Sequence, residues 1–274
     1  MLHRLSTVGG TILDQLEGFG RFSLFAGSAA AWACTGPKSF GRLRLLLPQL
    51  YIIGTRSIPV VMLVGAFVGA VLGIEMFAQF ASISQESRLG GIINVSVVRQ
   101  IGPVLAAVMI AGRVGGAVAA ELGTMRVTEQ IDALRVMGTD PIAYLVVPRV
   151  IACILMLPIL TVFSDVLGVV GGWIVVVQAY GVNSTDYWRF SADFINNWDL
   201  FTGLLKSIFF GYFIGIISCY RGFHAEGGSQ GVGQAATSAF VTSFIVIIVS
   251  NFFVAKFLND LYRMIYGPSQ SAFG

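Results

Sequence analysis

Long apolar runs recur along the chain and alternate with shorter polar stretches. A helix needs about 20 apolar residues to cross a bilayer, and five runs are close to that length or longer. They predict membrane spans over residues 57–80, 101–120, 146–180, 200–220 and 235–257. The polar and aromatic residues of 181–199 predict a segment at the membrane interface between the third and fourth spans.

The third apolar region allows two interpretations. It extends over residues 142–180 and contains Pro148 and Pro158. Because proline removes a helical hydrogen bond and bends or breaks a helix, the region forms either one long helix bent near Pro158 or two short spans. We expect the single bent helix.

Two amphipathic segments precede the first span. In residues 1–26, apolar side chains recur every three or four positions, which places them on one face of a helix. Residues 37–56 continue this spacing and are more basic. We expect 1–56 to form an N-terminal interfacial region whose amphipathic helix lies at the membrane surface. Packing of this helix on another subunit is the alternative.

Composition agrees with a membrane protein and excludes several functions. The chain is 55% hydrophobic and 11% charged, whereas soluble domains are about a quarter charged. We therefore predict an all-α integral membrane protein with about five transmembrane helices. The net charge of +3 is small and the basic residues are scattered, so nucleic acid is not an expected partner. Three distant cysteines and two histidines predict neither a metal site nor a disulfide framework.

Glycines follow a regular spacing within the spans. Gly65, Gly69 and Gly73 lie four residues apart in the first span. Because lipid gives helices no hydrophobic reason to associate, small residues that allow close backbone approach mark helix contacts in membranes. The spacing predicts tight packing within one bundle, with a dimer contact or a moving contact as the alternative.

Ionisable residues interrupt the apolar runs. Glu75, Arg113 and Asp165 lie inside predicted spans, and Arg99 lies just before the second one. Charges inside a membrane are costly and are therefore candidates for function. Simpler interpretations are that Arg113 reaches the cytoplasmic headgroups, that Asp165 pairs with another helix, and that Glu75 and Arg99 approach each other or face headgroups.

The stretch between the second and third spans predicts a short amphipathic helix. Thr128 is a suitable N-cap and Gly138 a suitable C-terminal stop. Ile131 and Leu134 give the helix an apolar side, and Asp132 lies on a polar side. Such a helix is either a docking element for a partner or a loop helix that lies on its own bundle.

Two segments carry a resemblance to a known family. They are VVRQIGPVLAAVMIAGRVGGAVAAELGTMRVTEQIDALRVMGTDP at 97–141 and VPRVIACILMLPILTV at 147–162. Both resemble the MlaE family of permeases, and the hydropathy profile is similar over nearly the whole chain. The resemblance implies a homodimer that works with two copies of a cytoplasmic ABC ATPase and with an MCE-domain lipid-binding protein on the outer side. It also implies transport of phospholipid or another lipid, from a multi-pass position in the inner membrane.

The same resemblance assigns roles to residues. The coupling helix would be 127–137, and the residues expected to transmit the action of the ATPase are Arg126, Thr128, Glu129, Gln130, Asp132, Leu134 and Met137. A lipid cavity near the end of the first span and the start of the second would include Leu72, Gln79, Phe80, Arg99 and Gln100, to which the intramembrane charge adds Glu75. Some relatives have an acid beside the arginine, where this chain has Gln100.

The energy source is expected to lie on another subunit. ATP hydrolysis by a phosphate-binding loop needs the pattern GxxxxGK[ST], which this sequence lacks. The segment GVGQAA at 231–236 follows no predicted strand and is not interpreted as a nucleotide site. We expect this chain not to be an enzyme and to hold no cofactor, with ATP and Mg²⁺ bound by the partner ATPase.

Two other functions remain open at this point. Glu75 and Asp165 would suit a secondary transporter driven by an ion gradient, although such transporters often contain internal repeats and none is visible here. The amphipathic connector would suit a membrane anchor that recruits a cytoplasmic partner.

Overall fold

The structure is a bundle of helices. The computed structural model describes residues 2–35 and 41–267, and these form helices and short connections without any strand. Five helical stretches are long and apolar enough to cross a membrane: Arg44–Ala81, Glu86–Val127, Ile142–Ala179, Asn197–Phe223 and Gly228–Ile265. This confirms the predicted class, an all-α integral membrane protein.

The first two spans are built from several consecutive helices. Helices α1 (Leu2–Thr35) and α2 (Gly41–Ile53) precede α3 (Ile58–Ala81), the first span. The second span is a continuous run of α4 (Leu89–Ser96), a π-turn at Val97–Ile101, α5 (Gly102–Ile110), a second π-turn at Ala111–Gly115, and α6 (Gly116–Val127).

The remaining helices complete the bundle. They are the connector α7 (Gln130–Val136), the third span with α8 (Val147–Trp173) between π-turns at Ile142–Val146 and Ile174–Ala179, the short α9 (Ser184–Phe194), the fourth span α10 (Asn197–Phe223), and α11 (Gly228–Tyr266), which contains the fifth span.

One expected outline differs from the structure, and the choice between two interpretations of the third region is decided by it. The helical run of the second span begins well before residue 101, because the polar residues that interrupt its apolar pattern, such as Asn94 and Arg99, find partners on other helices. The third region is one continuous helix, so the alternative of two short spans is wrong. Pro148 lies at the junction between the π-turn at Ile142–Val146 and α8, and Pro158 is accommodated inside the helix.

The apolar residues of helix α1 lie on two faces, one packed against the bundle and one exposed. Phe25 is buried, and its ring lies 5.5 Å from the rings of both Tyr220 and Phe223 at the end of α10. Phe19 and Leu24 are exposed. One side of α1 therefore packs on its own bundle while the other is free. The structure does not describe every residue of the predicted segments 1–26 and 37–56. Outside the described part of the chain lie residue 1, residues 37–40, and the side chains of 2–15 and 41–43.

The closest helix contact joins α3 to α8. A Cβ atom added to Gly69 would lie 1.8 Å from the carbonyl oxygen of Gly168, and one added to Gly171 would lie 2.0 Å from that of Ala66. At Gly65 the neighbouring backbone is that of Ser164, 2.5 Å from the added atom. The predicted glycine face is thus a contact between two spans of one chain.

We expect Gly69→Ala to lower the thermal unfolding midpoint of the purified protein in detergent. The added methyl group would force two backbones apart, and overpacking of this kind costs roughly 1–3 kcal/mol. The matched control is Gly116→Ala, where the nearest atom would be 3.8 Å away and alanine is the better helix former. Equal midpoints for the two variants would contradict a close α3–α8 contact.

Candidate functional site

The chain order gives the bundle two distinct ends. The α7 end contains the connector α7 and the turn between α10 and α11. The α9 end contains α9, the turn between α3 and α4, and the C-terminal end of α11. The predicted coupling and lipid-binding residues are divided between these ends, so the two candidate sites are described separately.

A cavity of about 550 Å³ lies near the α9 end, between the second, fourth and fifth spans. Its polar wall is formed by Arg99 and Gln100 from the second span, by Asp199 and Lys206 from α10, and by Asn259 from α11. Among the described residues, three basic side chains but one acidic side chain line it, the third base being Arg263. The cavity therefore suits a ligand that carries negative charge.

Arg99 connects all three spans that surround the cavity. One terminal nitrogen lies 3.4 Å from Oδ1 of Asp199, and the other donates a hydrogen bond to Oδ1 of Asn259. The Asp199 carboxylate also accepts a 3.0 Å hydrogen bond from the backbone N–H of Asn196, forming a capping box that fixes the start of α10. Arg99 is thus attached to the rigid first turn of one helix and to a side chain of another.

Lys206 is the most deeply buried charge of the cavity, with only 1% of its surface exposed. Its ammonium group donates to Oε1 of Gln100 and, at 3.2 Å, to the carbonyl oxygen of Arg99. Pro103, four residues after Arg99, has no N–H to donate to that carbonyl. The lysine therefore satisfies a backbone group that the helix leaves free, yet it has no ion pair with an acid among the described residues.

The predicted lipid-binding residues do not form one site within this chain. Arg99 and Gln100 face the cavity, whereas Leu72 and Phe80 pack against an apolar cluster on another side of α4 that includes Ile93. Glu75 and Gln79 are exposed on α3.

Of the two simpler interpretations of Glu75 and Arg99, the approach of the two side chains to each other is wrong. Arg99 pairs with Asp199 instead, and Glu75 has no ion pair with any residue that the structure describes. The reason is that α4 places Arg99 towards α10 and α11 rather than back towards α3.

Three polar residues of the cavity were not predicted from the sequence: Asp199, Lys206 and Asn259. Lys206 had a visible signal, since it is a lysine near the start of an apolar run. Asp199 and Asn259 gave none, because each lies at the polar end of a span, where such residues are common.

Asp165 takes no part in the cavity and does not pair with another helix as expected. Its carboxylate lies against Gly102, where an added Cβ would be 1.7 Å from Oδ1, and this oxygen is buried without a hydrogen bond to any described residue. Only a glycine at position 102 leaves room for the carboxylate.

A buried polar network fixes α9 over the second span. The hydroxyl of Tyr187 donates to Oδ1 of Asn94 at 2.9 Å, and Nδ2 of Asn94 donates to Oγ of Ser191 at 2.7 Å. Burial raises the pKa of Tyr187 to about 12, which keeps the hydroxyl protonated and able to donate. The network holds α4 in place, and α4 leads directly to Arg99.

The connector at the α7 end begins and ends with left-handed residues. Glu129 precedes α7 with φ of 59°, and Gly138 follows it with φ of 75°. The Gly138 N–H donates to the carbonyl of Arg135 at 3.0 Å, so the predicted C-terminal stop is confirmed. The predicted N-cap is wrong, because the Thr128 hydroxyl donates to the carbonyl of Thr124 and closes the preceding helix instead.

The two faces of α7 have different surroundings. Ile131 is fully buried against the bundle, and Asp132 receives hydrogen bonds from Arg126 at 2.6 Å and from Arg135 at 3.0 Å. In contrast, Val136 is 90% exposed and Met137 is 70% exposed. The connector therefore lies on its own bundle with one face and presents apolar side chains with the other.

The predicted coupling residues follow this division. Arg126, Asp132 and Leu134 are half-buried and attach α7 to the bundle, while Thr128, Glu129, Gln130 and Met137 are exposed.

These features define a multi-pass α-helical membrane subunit with an exposed connector helix and a cationic cavity near one end of its bundle. Residues 46–257 match the family model described as Permease MlaE. The chain therefore belongs to the MlaE family of ABC-transporter permeases.

Relatives from three groups of organisms agree with this assignment. A probable ABC transporter permease protein of Rickettsia felis is 42% identical over 256 residues, which cover 93% of this chain and 98% of the relative. The probable ABC transporter permease protein slr1045 of Synechocystis is 44% identical over 231 residues, covering 84% and 86%. The chloroplastic protein TRIGALACTOSYLDIACYLGLYCEROL 1 of Arabidopsis thaliana is 37% identical over 214 residues, covering 78% and 61%.

We expect Asp199→Asn to destabilise the protein by roughly 1–3 kcal/mol, less than the loss of one partner of a fully buried pair. The change removes the one acid among the described residues that line the cavity, and leaves Arg99 and Lys206 without a counter-charge. Thermal unfolding in detergent measures the effect. Asp193→Asn, an exposed acid of α9, is the control and should leave the midpoint unchanged. A similar midpoint for both variants would show that the Asp199 pair is not structurally important.

Proposed function

We propose that the chain is the membrane subunit of an ABC transporter that moves phospholipid, or another lipid, between the inner membrane and the outer envelope. The observation that carries the proposal is the cationic cavity within a membrane bundle, adjacent to an apolar cluster. The name of the Arabidopsis relative refers to a glycerolipid, which also supports a lipid substrate. Membership of an ABC-permease family leaves the ion-coupled and anchor alternatives without support.

The charges of the cavity suggest how a lipid is recognised. Lys206 and Arg99 would contact an anionic headgroup, because cations desolvated inside a protein bind phosphate oxygens strongly. Leu72 and Phe80 would contact acyl chains from the other side of α4. Since α4 separates these apolar residues from the cavity in one chain, a complete lipid site would require a second copy, in agreement with a homodimer.

Energy would come from a separate cytoplasmic ATPase that binds ATP and Mg²⁺. The exposed face of α7, with Glu129, Gln130, Val136 and Met137, would be its docking surface. An MCE-domain lipid-binding protein would be the partner at the α9 end.

The attachments of α7 support a route for coupling. The Arg126–Asp132 pair joins α7 to the last turn of the second span. On the other side, Oδ1 of Asp140 accepts a 2.8 Å hydrogen bond from the N–H of Ile142, which caps the third span. A displacement of α7 would therefore move both spans, and the second span carries Arg99 at the cavity. Opening and compression of the cavity would follow from this movement.

We predict that Arg99→Glu impairs lipid transport without preventing assembly. The change reverses the charge facing the headgroup and places two acids together at Asp199. Transfer of fluorescent phospholipid between vesicles by the reconstituted transporter measures the effect, with an expected loss of at least about tenfold, which corresponds to 1.4 kcal/mol.

The control for this variant is Arg189→Glu, the same change at an exposed position of α9. Transport at the normal rate by Arg99→Glu would refute the headgroup role. Loss of transport together with loss of the ATPase subunit would indicate an assembly defect, and the milder Arg99→Gln would then be measured.

We predict that Met137→Glu weakens docking of the ATPase. A charge on the exposed apolar face of α7 would be buried without a partner in the complex, which is strongly unfavourable. Native mass spectrometry of the tagged chain, extracted gently from its own membrane, measures the fraction of complexes that contain two copies of the chain and two ATPase subunits.

Met264→Glu is the matched control, since Met264 is 83% exposed but lies near the α9 end of α11. The ATPase content should fall in Met137→Glu alone. Full ATPase occupancy in both variants would exclude the exposed face of α7 as the docking surface.

A further inference from the structure

The second span contains an arginine that the cavity does not use. Arg113 lies in the second π-turn of this span, as Arg99 lies in the first. Its guanidinium donates a 2.6 Å hydrogen bond to Oγ of Ser57, which is fully buried between α2 and α3. The Ser57 hydroxyl in turn donates to the carbonyl of Ile53 at 2.6 Å. The guanidinium is therefore held in place by a hydroxyl whose own proton is already engaged.

A second arginine lies beside this contact. Arg56 directly precedes Ser57, and its guanidinium carbon is 5.6 Å from the centroid of the Tyr51 ring. Both Arg56 and Arg113 are exposed, and neither forms an ion pair with an acid in the part of the chain that the structure describes. Two positive charges therefore face outward from the bundle without a protein counter-charge.

The depth of Arg113 follows from the helix lengths. Helix α3 starts after Ser57 and has 24 residues, so it rises about 36 Å towards the α9 end. This slightly exceeds the hydrocarbon thickness of about 30 Å. With α3 centred on the hydrocarbon, Ser57 and Arg113 lie at the headgroup level on the α7 side of the membrane.

The exposed surface of α11 changes from polar to apolar at the same level. Gly112, next to Arg113, faces Phe240 of α11, whose ring would be 3.4 Å from an added Cβ. Below Phe240, towards the α7 end, the exposed side chains Gln230, Gln234 and Thr237 are polar. Above it, the exposed side chains are apolar, beginning with Val241, Phe244 and Ile245. This transition independently marks the edge of the hydrocarbon.

We infer that Arg113 and Arg56 form a binding site for the anionic headgroup of a lipid in the α7-side leaflet, separate from the cavity. A guanidinium donates two parallel hydrogen bonds to phosphate oxygens, and four of the five N–H groups of Arg113 are free of the Ser57 contact. Arg99 and Arg113 are 14 residues apart on one continuous helix, so about 21 Å separates the two sites along its axis.

The test measures how many phosphatidylglycerol molecules remain bound to each chain. The full chain is reconstituted in equal amounts of phosphatidylglycerol and phosphatidylcholine, extracted in mild detergent, and analysed by native mass spectrometry. We expect Arg113→Gln to retain one phosphatidylglycerol fewer per chain and to bind it about fivefold more weakly, the effect of one basic residue at an anionic surface. Arg113→Lys should retain the lipid because it keeps the charge.

Two further variants make the result specific. Arg88→Gln changes an exposed arginine near the opposite end of the same helical stretch, also without an ion pair among the described residues, and should retain all lipid. Lys206→Gln alters the cavity. Additive losses in Arg113→Gln and Lys206→Gln, with two lipids missing from the double variant, support two sites.

Three results would overturn the inference. The first is unchanged phosphatidylglycerol retention in Arg113→Gln. The second is a double variant that loses no more lipid than either single variant, which would mean that Arg113 and Lys206 serve one site. The third is a change of oligomeric state without a change in bound lipid, which would assign Arg113 to a contact with a second copy of the chain. If Arg113→Gln does not fold, the same count on Arg56→Gln decides between these results.

Discussion

The arrangement of the other spans depends on the packing of α3 against α8, in which glycines bring main-chain atoms of the two helices into direct contact. In a membrane, helices gain nothing by leaving lipid for one another unless they fit closely. Gly69 and Gly171 bring main-chain atoms of the two helices together at distances that leave no room for a methyl group. The first and third spans therefore form one unit, and the second and fourth spans pack around α8. The cavity lies on the side of the second span where α10 and α11 complete the bundle.

A second constraint is that polar groups inside a membrane need partners. Lys206 satisfies a carbonyl that Pro103 leaves free, and Arg99 joins the capped start of α10 to α11. The same side chains that meet this structural need leave the cavity with more positive than negative charge. Structural stability and the proposed recognition of an anion therefore depend on one set of residues, so a variant of the cavity must be tested for folding as well as for transport.

The sequence predicts what depends on local patterns and misses what depends on distant partners. Long apolar runs predict the five spans, and Gly138 predicts the end of α7 because its left-handed conformation is a local property. The wrong N-cap at Thr128 has a local cause as well, since a hydroxyl serves the preceding helix as readily as the following one. In contrast, the partners of Arg99 and Gln100 are more than 95 residues away along the chain. Because no sequence spacing relates positions on three different helices, the cavity could not be predicted from the sequence.

The second span connects the cavity, the second arginine and the connector α7 in one continuous helix. Its two π-turns each carry an arginine, and such turns are frequent at functional sites. One arginine faces the cavity and the other faces the α7-side headgroup level, while the last turn of the helix is joined to α7 through Arg126. A shift of this helix along its axis would act on all three points together. Each π-turn contains one more residue than a regular turn, so the two interruptions of the regular α-helical hydrogen-bond pattern lie at the two arginines that would contact lipid.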